Sequence, residues 1–405
     1  FVHQNPRDGL RMTISAGANV GERELWACTE YELSQKKKKN DITAWAYELH
    51  GDDTVWILLG FCGSSVAAKE IPTWRRCAEK LQLFAPTVAP DADKWTKYYA
   101  RRPALRNPEL RVRLRGKLVG EWEASDTPNY LVVYHTKKES LVNHFEKRLE
   151  GIRRSYVELF PPAGELTAVS TVRICENEEE YRLYGGPAGS AGYWNSASEE
   201  LVLYVFDNSG GDHQSGKEDS RIVLFHEAFH QYIHYAAGEL APHSWFNEGY
   251  GDFFSGSEFN EHGEVGRVLV NPWRFGTIRR AVEARKHANW NEMVYMEKAE
   301  YYGPNVHVNY AMGWSMIYFL EKSPAVAKKK VWKAILPTYF ETLKRAHARE
   351  RARLENAGLS QNEEEVAKAA KSARDEATAA AFADVDMSEI QEAWREFVLE
   401  LKGRR

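Results

Sequence analysis

The sequence predicts an α+β protein in which a smaller β-rich part precedes a larger part built from a mixed sheet and a helical half. Runs of β-branched and aromatic residues dominate the first part. Similar runs alternate with an amphipathic helix from residue 130 to 206, and helical spacing prevails after residue 240. The 405 residues, 43% of them hydrophobic, can bury a core large enough for two domains. A composition shift over residues 120–130 predicts domains at 1–122 and 123–405.

The first domain is predicted to be a β-rich module. Residues 41–61, DITAWAYELHGDDTVWILLGF, predict two strands with a turn at Gly51–Asp53, and PTWRRCAEKLQLF predicts the helix that follows. The lysine run at 36–40 predicts an exposed loop. RVRLRGKL, residues 111–118, alternates basic with mostly apolar residues and predicts a strand with a solvated basic face, with binding of an anionic polymer as the alternative. The sequence assigns no role to this domain.

The second domain begins with alternating strands and helices. We expect a strand at YLVVYHT, a helix over Ser140–Phe160, a strand at TAVSTVRIC and a hairpin with arms at Gly192–Trp194 and Leu201–Phe206. Residues 341–383 predict one long polar helix or a helix pair. The last predicted helix is amphipathic, with Ile390, Trp394 and Val398 at a spacing of four.

The stretch VLFHEAFHQYIHYAAG, residues 223–238, predicts a helix that carries three histidines four residues apart. Asp219 or Ser220 can cap its start, and Gly238 stands where a C-terminal glycine belongs. Residues four apart on a helix lie roughly 6 Å apart along the axis, so two imidazoles can reach one ion at about 2.1 Å. His226 and His230 fit this geometry, and so do His230 and His234. All three cannot share one ion, because the outer pair is separated by roughly 12 Å.

Glu227 favours the pair His226 and His230. Only this pair encloses the H-E-x-x-H pattern, in which the glutamate beside the first ligand can take a proton from a water at the metal. His234 is then a bystander on the helix flank. The alternative for the whole motif is a buried amphipathic helix with hydrogen-bonded histidines.

Downstream, PHSWFNEGYGDFFSG, residues 242–256, again shows helical spacing. With the block WFNEGYGDFF, the chain resembles the gluzincins, the thermolysin-like zinc metallopeptidases whose third ligand is a glutamate on the next helix. The resemblance implies one Zn²⁺ per chain on His226, His230 and Glu248, with Glu227 as general base. It also implies that Asn247 and Asp252 support the ligands, Asp252 by accepting the other ring N–H of a histidine. The alternative for Asp252 is a solvated helix carboxylate.

Two further features follow from the resemblance. In the resembling fold the strand before the motif helix forms the cleft edge, which implies that Gly192, Tyr193 and Trp194 contact an extended substrate. A later helix in the resembling aminopeptidases carries a catalytic tyrosine in the pattern Y-x-x-G, matched here by Tyr310 in YAMGWSMIYFL. Tyr301, Tyr302 and His307 are alternatives for this role, and Tyr310 could also be a core residue. The G-A-M-E-N signature of the aminopeptidases is missing.

The predicted function is hydrolysis of peptide bonds by a zinc-activated water, with a peptide or protein as substrate. The alternatives are a peptide-binding or scaffold protein that retains zinc without turnover, and a zinc hydrolase of a non-peptide amide. With 54 basic and 58 acidic residues, the chain is not expected to bind nucleic acid. It has no apolar run long enough to span a membrane.

Cysteine content and the first residue leave the compartment open. Cys28, Cys62, Cys77 and Cys175 lack C-x-x-C spacing, so one disulfide in the first domain and buried thiols are both compatible with the sequence. Residue 1 is Phe, which suggests a processed or truncated chain. An extracytoplasmic location after removal of a signal peptide is therefore one alternative.

Overall fold

A computed structural model describes most of the chain and divides it into two compact units, residues 1–88 and 89–405. The described residues are 13–23, 26–35, 42–50, 55–80, 92–118, 121–137, 139–187, 189–205, 213–260 and 264–402. The predicted loop at 36–40 and the predicted turn at Gly51–Asp53 lie outside these residues. The α+β class predicted from the sequence is confirmed.

The first unit is a four-stranded antiparallel sheet with one helix. Its strands, which pair in sequence order, are β1 Thr13–Arg23, β2 Trp26–Gln35, β3 Ile42–His50 and β4 Val55–Gly63. Helix α1, Ala67–Lys80, packs on this sheet with the Trp74 ring against Gly60, where an added Cβ would lie 2.5 Å from the ring. The guanidinium of Arg75 lies 5.6 Å from the centre of the Trp45 ring. The two predicted strands and the predicted helix of this region are therefore confirmed.

The second unit contains a five-stranded mixed sheet in the order β5-β6-β7-β9-β8. The three inner strands are parallel, and β5 and β8 run antiparallel at the two edges. The strands are β5 Glu123–Asp126, β6 Tyr130–Tyr134, β7 Ser170–Cys175, β8 Gly192–Asn195 and β9 Glu200–Tyr204. Strands β8 and β9 form the predicted hairpin.

Helices make up most of the rest of the second unit. Those before or between the strands are α2 Ala92–Ala100, α3 Pro108–Arg115, α4 Glu139–Leu159 and α5 Glu178–Leu183. Those after the sheet are α6 His213–Ala236, α7 Ser244–Ser255, α8 Pro272–Glu283, α9 Trp290–Tyr295, α10 Lys298–Tyr301, α11 Val306–Lys322, α12 Pro324–Lys328, α13 Lys330–Asn356, α14 Glu363–Phe382 and α15 Met387–Glu400. A short ribbon of β10, Ser257–Phe259, and β11, Val265–Val268, interrupts the second set. The region 341–383 is thus a helix pair, and α15 buries Ile390, Trp394 and Val398.

The prediction of a strand at 111–118 is wrong, because this segment lies largely in helix α3. Asn107 caps α3 by accepting the Leu110 N–H, and Pro108 occupies its first turn. The basic residues Arg111 and Arg115 are buried and bind the two oxygens of Asp126 at 2.7 and 2.5 Å. A strand would alternate its basic residues toward solvent, whereas the helix brings residues four apart to one carboxylate.

The same contacts bear on the domain boundary. We expected the second domain to begin at residue 123, but the second compact unit begins at Ala89. Helices α2 and α3 belong to it because Tyr99, Arg111 and Arg115 all bind Asp126 of β5. The composition shift at 120–130 therefore falls inside the second unit.

Among the described residues, no helix combines the length and apolar character needed to cross a membrane. Cys62, Cys77 and Cys175 are free thiols, and Cys175 is buried. The side chain of Cys28 lies outside the description.

The core of the second unit fixes helix α6 against the sheet and against α4. The hydroxyl of Tyr156 donates to Phe225 O at 2.8 Å, and that of Tyr232 donates to Phe160 O at 2.7 Å. The buried Gln231 amide donates to Thr171 O of β7 at 3.0 Å. Tyrosine and amide groups buried with a partner lock a helix in register because leaving them unpaired costs about 1–3 kcal/mol each. The histidine face of α6 is held in this way.

Candidate metal centre

Helix α6 has the predicted C-terminus but a different start. Gly238 adopts a left-handed conformation with φ of 81°, its N–H donates to Tyr235 O, and the Glu239 N–H donates to His234 O at 2.7 Å. This is a Schellman ending, so the predicted role of Gly238 is confirmed. The helix begins at His213, upstream of Asp219 and Ser220. Both predicted caps are therefore wrong. The turns before Ile222 are polar, so no apolar periodicity indicated that the helix begins earlier.

Two imidazoles of α6 and one carboxylate of α7 converge on one point. The ligand atoms of His226, His230 and Glu248 all lie within 4.8 Å of one another. Glu248 Oε2 is 2.9 Å from His226 Nε2 and 3.4 Å from His230 Nε2. The Glu248 side chain is only 5% exposed. Both histidines therefore direct the same ring nitrogen at one buried oxygen.

The other ring nitrogens face acceptors that hold the rings in place. His226 Nδ1 is 3.3 Å from Asp252 Oδ1, and His230 Nδ1 is 3.0 Å from Asn247 Oδ1. An Nδ1–H that donates to an oxygen leaves the Nε2 lone pair pointing at Glu248. The structure thus brings Asn247 and Asp252 beside the two histidines, each at a different ring.

Asp252 is held by residues that the sequence analysis did not single out. Its Oδ2 accepts from Arg274 Nε at 2.5 Å, and its backbone oxygen accepts from Asn271 Nδ2 at 3.0 Å. Asn271 also caps α8 by accepting the Trp273 N–H, which is a readable helix-start signal before Pro272. That signal could have located α8, but no spacing rule connects Arg274 to a carboxylate 22 residues away.

The charges of the cluster favour a cation at its centre. Burial lowers the pKa of His226, but the nearby carboxylates of Asp252 and Glu248 outweigh it and raise the pKa to about 10. Burial raises the pKa of Glu248, but the two imidazoles outweigh it and hold the pKa well below its usual range. The Asp252 carboxylate behind the His226 ring and the Glu248 carboxylate in front of it thus both stabilise positive charge at this site.

Glu227 projects toward the edge of the sheet. Its Oε2 accepts the backbone N–H of Trp194 in edge strand β8 at 2.9 Å. Tyr204 N donates to Ala191 O across the hairpin, and in an antiparallel ladder the groups of alternate residues point to opposite sides. The backbone groups of Gly192 and Trp194 therefore face away from β9, toward α6.

Close packing of β8 on α6 depends on Gly192. A Cβ at this position would lie 2.6 Å from Val223 Cγ1 of α6. The Trp194 ring packs 5.8 Å from the ring of His234, centre to centre. His234 therefore supports the edge strand and lies outside the histidine and glutamate cluster.

The side chain of Tyr193 does not join this edge. Its ring packs 5.9 Å from that of Tyr181 in the small buried cluster around Cys175 and Val202. Side chains alternate across a strand, so Tyr193 faces the opposite side of the sheet from Gly192 and Trp194. The Tyr193 ring therefore lies on the other face of the sheet from the ring of Trp194.

Two tyrosines border the metal-ligand cluster. The hydroxyl of Tyr302 donates to Glu248 Oε1, and a side-chain hydrogen bond links Tyr302 with Tyr310. Burial and then the Glu248 charge raise the pKa of both phenols, which keeps them protonated. The Tyr310 ring lies 6.3 Å from that of His226 and 4.6 Å from the Arg274 guanidinium.

The other two candidates for the role of Tyr310 are placed less favourably. Tyr301 is fully buried, and its hydroxyl donates to Asn309 O at 3.1 Å. His307 is exposed on the first turn of α11. The structure therefore brings Tyr302 and Tyr310 to the cluster.

The close approach of α7 to α6 requires a glycine. A Cβ at Gly251 would lie 2.9 Å from the His226 ring. Any larger residue there would push the imidazole out of line with Glu248, one turn earlier on α7. The glycine after N-E-G-Y in the sequence is thus part of the site geometry.

A family model matches part of the chain. Residues 222–329 match a family model described as a protein of unknown function, DUF1570. The matched segment runs from the apolar part of α6 to the end of α12, so it includes His226, Glu248, Arg274 and Tyr310. No curated protein matches the chain.

Proposed function

We propose that the protein is a zinc metallopeptidase of the gluzincin type, with a thermolysin-like second unit. The observation that carries the proposal is the convergence of His226 Nε2, His230 Nε2 and a Glu248 oxygen within 4.8 Å. Both imidazoles are fixed from behind by oxygen acceptors, which is the usual arrangement around metal-binding histidines.

The donor set fits zinc. Two nitrogens and one carboxylate oxygen are a common set in catalytic zinc sites, which leave a fourth position for water. Ligands about 2.1 Å from a tetrahedral ion are roughly 3.4 Å apart. The distances from Glu248 Oε2 to the two Nε2 atoms, 2.9 and 3.4 Å, are close to this value. When bound, zinc would polarise the scissile carbonyl and acidify the attacking water.

The chain's own residues would perform the remaining tasks. The Glu227 carboxylate takes the proton of the attacking water and returns it to the leaving amine. Tyr310 donates a hydrogen bond to the negative charge that develops on the carbonyl oxygen. We favour Tyr310 over Tyr302 because the Tyr302 hydroxyl donates to the proposed ligand Glu248, whereas the Tyr310 hydroxyl is left to donate to the Tyr302 oxygen, a bond that it can exchange for one to the substrate. Asn247 and Asp252 keep the imidazoles oriented.

The substrate fits as an added strand. The outward backbone groups of Gly192 and Trp194 lie along the edge of the sheet beside Glu227, which accepts the Trp194 N–H. An extended peptide can pair with such an edge through its own backbone groups. This favours a peptide or protein substrate over a non-peptide amide.

The test compares Glu227→Gln with the wild-type chain on a mixed peptide library read by mass spectrometry. Glutamine has nearly the same shape but cannot accept the proton, so hydrolysis should fall by about 10²–10⁴-fold while zinc content is unchanged. His234→Ala is the matched control on the same helix and should retain both zinc and turnover.

Two results would contradict the proposal. If the zinc-loaded wild-type chain binds peptides but cuts none, the protein is a peptide-binding or scaffold protein. If it hydrolyses only amides outside peptides, the chemistry is as proposed but the substrate class is wrong.

A further inference from the structure

A second group of metal-ligand side chains lies in the helical half of the second unit. His243 precedes α7, Glu297 precedes α10 and Asp375 lies on α14. One ligand atom from each comes within 4.8 Å of the other two. The sequence analysis did not find this group, because its members are dispersed over the chain and follow no spacing pattern.

The His243 side chain is buried, with only 1% exposed, and the Nδ1 edge of its ring is hydrogen-bonded within the protein. Nδ1 lies 3.1 Å from Thr378 Oγ1. Nδ1 also lies 3.3 Å from the Tyr339 hydroxyl, whose oxygen accepts the His243 backbone N–H at 2.8 Å. With an Nδ1–H donating to either hydroxyl oxygen, the neutral ring carries its lone pair on Nε2.

The Nε2 edge of the imidazole ring lies next to hydrogen-bond acceptors rather than donors. Within the described part of the chain, His243 Nε2 has no hydrogen-bond partner, and it lies 3.6 Å from Asp375 Oδ1, which has none either. Glu297 Oε1 is buried beside them without a well-aligned hydrogen bond. A lone pair that faces carboxylate oxygens is unfavourable unless positive charge lies between them.

Two cations already balance part of this charge. Lys371 Nζ is 2.7 Å from Asp375 Oδ2 and 3.0 Å from Glu297 Oε1, and Arg374 Nη2 is 3.7 Å from Glu297 Oε2. The Lys371 side chain is 51% exposed, so it can move into solvent without a burial cost. These contacts hold the carboxylates but give the imidazole Nε2 no partner.

We propose that His243, Glu297 and Asp375 form a second cation site, for a divalent ion of the zinc class. One imidazole nitrogen with two carboxylates suits such an ion, whereas Ca²⁺ and Mg²⁺ prefer oxygen ligands alone. Thr378 acts behind the ring as the acceptor that orients Nε2. This site is independent of the proposed peptidase activity.

The site would connect three segments around the catalytic cluster. His243 precedes the helix that carries Glu248, and Glu297 precedes the short helix that ends beside Tyr302. Asp375 adds α14, which is remote in sequence from both. An ion at this point would hold these segments together as a structural ion.

The test counts metal in the full chain after removal of all metal and titration with Co²⁺ and then Zn²⁺, with stoichiometry read by elemental analysis and cobalt absorption. We expect two equivalents in the wild type and one in the double variant His226→Ala, His230→Ala. Asp375→Asn should lose one equivalent in either background. Its matched control is Glu376→Gln, the next acidic residue on the same helix, which pairs with Arg349 and should lose none.

Further variants protect the conclusion from a folding defect. Glu297→Gln should also lose one equivalent, and Lys371→Met should keep it and bind more tightly, because a competing ammonium is gone. If the wild type binds only one equivalent of metal and Asp375→Asn still binds it, this inference is wrong and the peptidase proposal is unaffected. A second equivalent that survives both Asp375→Asn and Glu297→Gln overturns it as well. Loss of metal in the histidine double variant alone concerns only the catalytic site.

Discussion

Two buried polar clusters of the second unit differ in how their charges are matched. Around Asp126, Arg111 donates to one oxygen of the carboxylate and to the backbone oxygens of residues 106, 127, 128 and 130. Arg115 donates to the other oxygen of the carboxylate. Around Glu248, by contrast, two ring nitrogens and a carboxylate oxygen point at one another. In the first cluster arginines pair with one carboxylate, whereas in the second two imidazoles and a carboxylate meet at a point that could hold a metal ion.

The difference separates the Asp126 cluster from the proposed metal centre without reference to any motif. Burying charged groups costs several kcal/mol unless each has a partner, and Asp126 has as partners two arginines of α3 and Tyr99 of α2. In the Glu248 cluster the donors are used on the outer side, where Asn247 and Asp252 hold the rings. On the inner side His226 Nε2 meets Glu248 Oε2 at 2.9 Å, and either a proton on the imidazole or a metal ion can satisfy this contact.

The largest effect should come from removing the shared acceptor of the second cluster. Glu248→Ala removes one of the three proposed ligands. Zinc affinity should therefore fall by more than the factor of about 10–100 that is typical when a group hydrogen-bonded to a ligand is removed. Equilibrium dialysis against zinc buffers measures this. His234→Ala should bind zinc like the wild type, and zinc loss in that variant alone would mean that the ligand assignment is wrong.

The first cluster should instead respond in stability. Asp126→Asn leaves two buried guanidinium groups without a carboxylate and should lower the free energy of unfolding by about 3–5 kcal/mol. Chemical denaturation measures the change, and zinc affinity under native conditions should be unaltered. Glu123→Gln, which changes an exposed carboxylate of the same strand, should stay within about 0.5 kcal/mol of the wild type. Equal effects of the two variants would refute the contrast drawn between the clusters.

Tyr310→Phe tests the donor beside the Glu248 cluster. Loss of one such hydrogen bond should lower kcat by about 10²–10³-fold with metal content unchanged. Tyr302→Phe serves as the comparison and should mainly weaken zinc binding, because Tyr302 donates to the ligand carboxylate. If kcat stays near normal in Tyr310→Phe and falls in Tyr302→Phe, the two roles are exchanged.

The smallest effect is expected behind His226. Asp252→Asn keeps the shape but weakens the hold on Nδ1, so zinc affinity should fall by about 10–100-fold. The same dialysis assay measures it. An unchanged affinity would mean that packing against Gly251 alone orients the His226 ring.

The sequence predicted those parts of the site that depend on local spacing. His226 and His230 are brought together by the pitch of one helix, and Glu248 follows within the next helix after a short connection. The contacts of Arg274 with Asp252 and of Trp194 N–H with Glu227 depend on how separate elements pack. No period in the sequence encodes such distances, so these contacts required the structure.

The fold was predictable to a similar extent. The order of the strands and of helix α4 between Tyr130 and Tyr204 follows from hydrophobic runs, and the structure confirms it, but helix α5 in the same stretch was not predicted. Residues 111–118 misled because their basic residues are buried. A basic residue normally marks a solvated position, and only the tertiary position of Asp126 makes a buried arginine favourable.

The separation of ligands along the chain affects how each proposed metal site responds to partial unfolding. His226 and Glu248 are 22 residues apart, whereas the proposed ligands His243 and Asp375 are 132 apart. Closing the longer loop costs roughly 1.6 kcal/mol more in chain entropy. If α14 separates from the core, the long-range group comes apart at once, while the pair of helices α6 and α7 keeps the short-range ligands together. We therefore expect amide hydrogen exchange to be faster around Asp375 than around His226. Bound metal should reduce this difference in exchange rate.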